Sequence, residues 1–151
     1  MGVETLRLED IIKQKRPTLG GEVPVPVFRL LRLIGMQKIL GESSGPTLYM
    51  VGKEIGSSLD VSTVEEFAKF IEDMKIGIPR ILKLSGEKIV IRVDECVTCA
   101  GLPNIGEMVC HFEGGIIAGA LEKILKRPTK AVQTKSHAAG FEYCEFDVLL
   151  Y

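Results

Sequence analysis

Apolar positions along this chain recur first at helical spacing and later in alternation. From about Pro26, Val27, Leu30, Leu31, Ile34, Lys38 and Ile39 fall on one stripe of a helix that runs to about Leu40. Gly41 stops it. Ser44-Gly45-Pro46 restarts the chain, with proline in the first helical turn. Leu48, Met50, Val51, Ile55 and Leu59 mark a second helix. Ser62-x-x-Glu65 reads as a capping box that opens a third, through Phe67, Phe70, Ile71 and Met74. At Pro79 the period changes to two. Residues 79–84 and 88–93 alternate around Ser85-Gly86-Glu87, which is a β-hairpin pattern. A long helix is expected from about Asn104 to Lys126, ended by Pro128, with strands at 129–136 and about 143–150. Three N-terminal helices, a hairpin, a long Gly-rich helix and a second hairpin describe an α+β fold: an antiparallel sheet packed on helices.

Residues 1–25 stand apart from this pattern. A short amphipathic stretch, Leu6 to Ile12, precedes RPTLGGEVPVP, whose three prolines and two glycines predict an extended arm packed on its own domain or on a partner subunit. Residues 26–151 then form a single domain. Gly52 and Gly56 lie one turn apart on the second helix, and Gly114, Gly115 and Gly119 interrupt the long one. Each interior helical glycine costs about 1 kcal/mol relative to alanine, so five of them need a steric reason. Either another backbone approaches closely or a ligand cavity lies beside the helix.

Charge narrows the partners. Nineteen basic and 20 acidic residues are well mixed, for a net charge of −1. That balance offers no footprint for nucleic acid or for an anionic membrane. MGVETLRLED lacks a signal peptide's apolar core, and no apolar run approaches membrane-spanning length. Position 6 is Leu, so the myristoylation pattern fails. The expectation is a cytoplasmic protein.

In such a compartment, cysteines favour metal or thiol chemistry over disulfides. All four lie in the last third: Cys96 and Cys99 in a C-x-x-C, then Cys110 and Cys144. Four thiolates complete a tetrahedral zinc site with no open position, so the metal would be structural. The spacing is neither that of a zinc ribbon nor that of a RING. A redox dithiol is the alternative, but such a pair sits at a helix N-terminus, and here Gly101, Pro103 and further residues intervene. Cys110 taken singly also fits a small buried hydrophobe, on the face of Ile117 and Leu121. His111 shares a face with Glu107, Ala118 and Glu122 and reads as exposed. His137, in a turn before the last strand, reads as a polar loop residue or a substitute ligand. No G-x-S-x-G, phosphate loop, or nicotinamide or flavin motif is present.

Three segments carry a family resemblance: Glu95-Cys-Val-Thr-Cys-Ala-Gly101, Cys110-His-Phe-Glu-Gly-Gly-Ile-Ile-Ala-Gly119 and Gly140-Phe-Glu-Tyr-Cys-Glu-Phe146. With the three preceding helices, they resemble the 4-vinyl reductase domain family over nearly the whole chain. The resemblance implies a fold shared with ligand-sensing domains of aromatic-responsive activators, Golgi transport tether subunits and haem-based nitric-oxide sensors. In the aromatic sensors zinc is held by a cysteine before the Gly-rich helix, a Glu-x-x-Cys pair and a final cysteine. Cys110 and Cys144 match the outer two. The middle pair falls on Gln133 and Ser136, which do not match, and Cys96 and Cys99 would restore the count, with His137 as fallback. The combined reading is a homodimeric, zinc-containing domain that binds a small apolar or aromatic molecule and has no nucleotide cofactor or catalytic residue. The alternatives are a reductase acting on a vinyl-bearing tetrapyrrole and a homodimeric scaffold subunit.

Overall fold

The computed structural model describes residues 2–151. After a 3-10 turn at Val3–Thr5 and helix α1 (Leu8–Ile12), residues 25–40 wind as one rod. Its parts are α2 (Val25–Arg29), a π-helical stretch (Leu30–Gly35) and α3 (Met36–Leu40). Gly41, at φ +56, ends it. A 3-10 turn at Gly41–Ser43 leads into α4 (Ser44–Ser58). Helix α5 (Val64–Asp73) follows, then strands β1 (Ile78–Leu84) and β2 (Lys88–Asp94), helix α6 (His111–Leu125), and strands β3 (Thr129–Lys135) and β4 (Cys144–Leu150). All strand pairs are antiparallel, in the order β1-β2-β4-β3, so β4 joins the two hairpins. The architecture is the expected α+β one.

Alternation decides which sheet face is covered. Ile89, Ile91 and Val93 of β2 and Cys144, Phe146 and Val148 of β4 point into the core. The other face carries ion pairs such as Lys88–Asp147 and Arg92–Asp94, both at 2.8 Å. Helix α6 is the central rod, with residues 113–121 all buried. Its glycines answer those of α4. A Cβ at Gly52 or Gly56 would overlap the carbonyl of Phe112 or Ile116, and one at Gly115 or Gly119 would overlap that of Tyr49 or Lys53. Close backbone approach, rather than a cavity, explains these four.

Three expectations change. The stripe on residues 25–40 faces outward: Val27, Leu30, Leu31, Ile34 and Ile39 are exposed, and the buried residue is Arg32, at 7% exposure. The cap of α5 sits one residue later than Ser62-x-x-Glu65. Thr63 Oγ1 accepts from Glu66 N–H at 3.1 Å, and the Glu66 carboxylate accepts from Ser62 N–H at 2.8 Å. The long helix starts at His111, not Asn104. Gly106 takes φ +74, and Ile105 and Glu107 donate their N–H groups to Ala138 O, which keeps the segment extended.

Candidate functional site

Three segments deliver sulfur to one point. After β2, Glu95 adopts φ +54 and turns the chain into the C-x-x-C loop. That loop is held at several points. Val97 N–H donates to Ile76 O at 2.8 Å, Ala100 N–H to Cys96 O at 3.0 Å, and Leu102 N–H to Cys99 O at 2.9 Å. Cys110 caps α6, and its N–H donates to Gln133 Oε1 at 3.0 Å. Cys144 opens β4 opposite Val93. All four sulfurs are buried and lie within 4.8 Å of one another. Cys96–Cys110 is 3.5 Å, Cys110–Cys144 3.6 Å and Cys99–Cys144 2.8 Å, and the four are free thiols. A tetrahedral zinc tetrathiolate has sulfur–sulfur edges of about 3.8 Å, so this donor set fits a soft divalent ion.

The electrostatics of the cluster point the same way. Sulfur hydrogen bonds from Cys110, Cys144 and Cys96 hold the Cys99 thiol far below its ordinary range, with the Ser136 hydroxyl assisting. The contact with Cys144, then those with Cys96 and Cys99 and burial, push Cys110 up. At Cys144 the contact with Cys110 lowers the value, but Cys96, Cys99 and burial outweigh it. One sulfur thus takes the charge and its neighbours keep protons, the condition a cation relieves by displacing protons.

The two histidines stand outside the cluster. His137 Nδ1 accepts from Gly101 N–H at 3.2 Å and ties the loop to the 3-10 turn at His137–Ala139. His111 is half-buried rather than exposed, because α6 begins there and its ring lies against Gly45. Burial, then the Arg32 charge, lowers its pKa. Gln133 and Ser136 are partners of the cluster: one accepts from Cys110 N–H, the other donates to Cys99.

Residues that pattern reasoning passed over buttress this centre. Arg29 on α2 donates from Nε to Val97 O at 2.9 Å and from Nη2 to Ala100 O at 2.8 Å. Arg32 donates to Val109 O at 3.0 Å and lies 3.6 Å from the Glu113 carboxylate, both side chains being 7% exposed. Thr98 donates to Glu113 Oε1. Burial raises the Glu113 pKa, and Arg32 opposes that shift. The one available signal was position: Glu113 lies three residues after Cys110, on a helix otherwise apolar and glycine-rich.

Beside the centre runs a groove of about 540 Å³, lined by Val25, Phe28, Met74, Ile76, Phe112 and Glu113 among others. Ile76 and Glu113 also line a closed apolar void of about 20 Å³ between α5, α6 and the sheet. That void holds a single water at most, so the core here is packed and the larger space is the groove.

Residues 89–150 match the model of the vinyl-4-reductase domain. Two uncharacterized proteins of Methanocaldococcus jannaschii are similar along most of the chain. MJ1642 is 34% identical, covering 87% of this chain and 81% of its own length, and MJ0150 is 36% identical, covering 92% and 84%. Among solved structures, a vinyl-4-reductase family protein from the same organism superposes with a TM-score of 0.68 at 27% identity, over 98% of this chain and 91% of that one. The phenol-responsive sensory domain of the transcription activator PoxR, with phenol, has a TM-score of 0.66 at 10% identity, over 85% and 75%. A trafficking protein particle complex subunit 3 from Naegleria fowleri, covalently bound to palmitic acid, has a TM-score of 0.61 at 17% identity, over 84% and 95%. The last two share the fold alone. Matched in family model, in relatives along most of their length and in architecture, the chain belongs to the vinyl-4-reductase domain family.

Proposed function

We propose that this chain is a zinc-stabilised binding domain for a small, largely apolar molecule. The observation that carries the reading is the convergence of Cys96, Cys99, Cys110 and Cys144 from a loop, a helix cap and a strand onto one buried point. These four residues would hold the ion; a site closed by four thiolates supplies cross-linking, not an open position for water. The clamp joins the start of α6 to β4 and to the loop that α2 grips. The binding reading draws on the apolar groove next to it and on two fold neighbours described with phenol and with palmitic acid. Residues 26–151 would form the binding unit and 1–25 an arm along it. Four reduced thiols suit the cytoplasm, and no helix among the described residues is long and apolar enough to cross a membrane.

The exposed row Val27, Leu30, Leu31 and Ile34 supports a homodimer. Isolated apolar residues are ordinary on a surface, but a contiguous helical face marks an interface.

Metal analysis of freshly purified protein tests the central reading. One zinc per chain is expected, falling to near zero in Cys99→Ser. Free-thiol titration giving four reactive thiols and no bound metal in zinc-replete protein would overturn it.

A further inference from the structure

Glu113 is an anomaly that the metal centre does not absorb. It is 6% exposed and sits in the longest buried run of the molecule. Its Oε1 receives the Thr98 hydroxyl. Its Oε2 receives no hydrogen bond from the described residues, and Arg32 stands 3.6 Å away, beyond hydrogen-bond reach. An acceptor left unpaired in the interior carries the desolvation penalty of the whole group, so a site normally provides a partner for it. Glu113 lies where the groove meets the closed void, with Phe28, Phe112, Met74 and Ile76 around it. The mouth of the groove is bridged by the exposed Lys75–Glu22 ion pair, which fastens the N-terminal arm to the end of α5.

We propose that this groove selects a neutral apolar molecule bearing a hydroxyl group, which enters body-first along the arm and donates its O–H to Glu113 Oε2. The inference rests on the binding reading above and deepens it. Charge decides the class. Arg32 already opposes the Glu113 carboxylate, so an ammonium group would lose its hydration and meet a guanidinium. A carboxylate would face Glu113 itself. A hydrocarbon would fill the apolar walls but leave Oε2 unpaired. A hydroxyl donates without adding charge, and the walls take the remainder.

The test uses zinc-loaded full-length protein and three probes of one shape: 2-naphthylmethanol, 2-ethylnaphthalene and 2-naphthylmethylammonium. A hydrogen bond to a charged, buried acceptor predicts that the alcohol binds at least about tenfold tighter than the hydrocarbon, with the ammonium weakest. In protein carrying ¹³C-labelled glutamate, the alcohol alone should shift the Glu113 carboxyl resonance. The double variant Arg32→Met/Glu113→Leu removes both charges together. It should bind 2-ethylnaphthalene as before and lose the preference for the alcohol. Should that variant fail to fold, the wild-type ratio and the resonance shift still decide. Equal affinity for alcohol and hydrocarbon, or tightest binding of the ammonium, overturns the role of Glu113 while the apolar-binding reading stands. Binding of none of the three overturns both.

Discussion

Single side chains set the metal centre's geometry from outside it. Arg29 is the clearest case, because its guanidinium spans two carbonyls, of Val97 and Ala100, that flank Cys99. Lysine cannot replace it, having no planar fork. Groups behind metal ligands typically account for about 10- to 100-fold in affinity. Arg29→Met is therefore expected to weaken zinc binding by about tenfold or more in chelator competition while leaving one zinc per chain at saturation. An unchanged affinity would mean that the loop holds its shape without α2. The cysteines were legible because C-x-x-C is an unusual local pattern, and two more sulfurs followed it. Arg29 and Arg32 were not legible. Pattern reading assigns basic residues to the solvent side of an amphipathic helix, and nothing in the local sequence announces that carbonyls of a distant loop await them. The Gln133 and Ser136 positions illustrate the converse: they lack ligand chemistry, yet stay at the cluster as hydrogen-bond partners.

Between elements, the α4–α6 contact is the tightest feature of the fold. Gly115 faces the carbonyl of Tyr49 with no room for a methyl group, and rigid backbone cannot rotate away. Gly115→Ala should cost about 1–3 kcal/mol, the usual range for overpacking. Gly86→Ala, with nothing near its added Cβ, should be neutral or slightly stabilising in the same urea titration. A second link at this scale is Glu122, near the C-terminal end of α6. Its carboxylate accepts from Thr129 N–H at 3.1 Å and pairs with Lys53 of α4 at 3.1 Å. The Thr129 hydrogen bond, then Lys53, lowers its pKa below the ordinary 4.5. A depressed carboxyl pKa gives stability that is present above the unfolded value and lost as pH falls through the folded one. The stability gap between wild type and Glu122→Gln should thus be constant near neutrality and close below about pH 4.5, read from melting temperatures across a pH series. A gap that persists unchanged far into acid would show that the carboxylate charge contributes nothing. The strands were legible at this scale because a two-residue period has few imitators. The start of α6 was not, since Met108, Val109 and Cys110 mimic a helical apolar run while Gly106 and the Ala138 carbonyl hold the backbone extended.

On the scale of the whole molecule, the rod of residues 25–40 has two unlike sides. One presents Arg29 and Arg32 to the cysteine loop and to Glu113. The other presents Val27, Leu30, Leu31 and Ile34 to solvent. The π-helical stretch Leu30–Gly35 lies within the rod, and such widened turns re-aim side chains without ending the helix. The apolar pattern that predicted this helix was therefore correct about its winding and inverted about its core side. An interior stripe and a subunit-facing stripe have the same spacing, and only the contacts distinguish them. If the outward side is a self-complementary interface, a charge at its centre is buried against its own copy across the two-fold axis. Leu31→Glu should then convert a species of roughly twice 16.6 kDa into a monomer in sedimentation equilibrium. Because Leu31 stands clear of its own core, at 64% exposure, zinc content should remain at one per chain. A wild-type chain that sediments as a monomer at micromolar concentration would assign the row to another partner. A Leu31→Glu variant that loses both its dimer and its zinc would instead show that the face and the sulfur centre are coupled through Arg29 and Arg32, the two arginines that α2 and the π-helical stretch send inward.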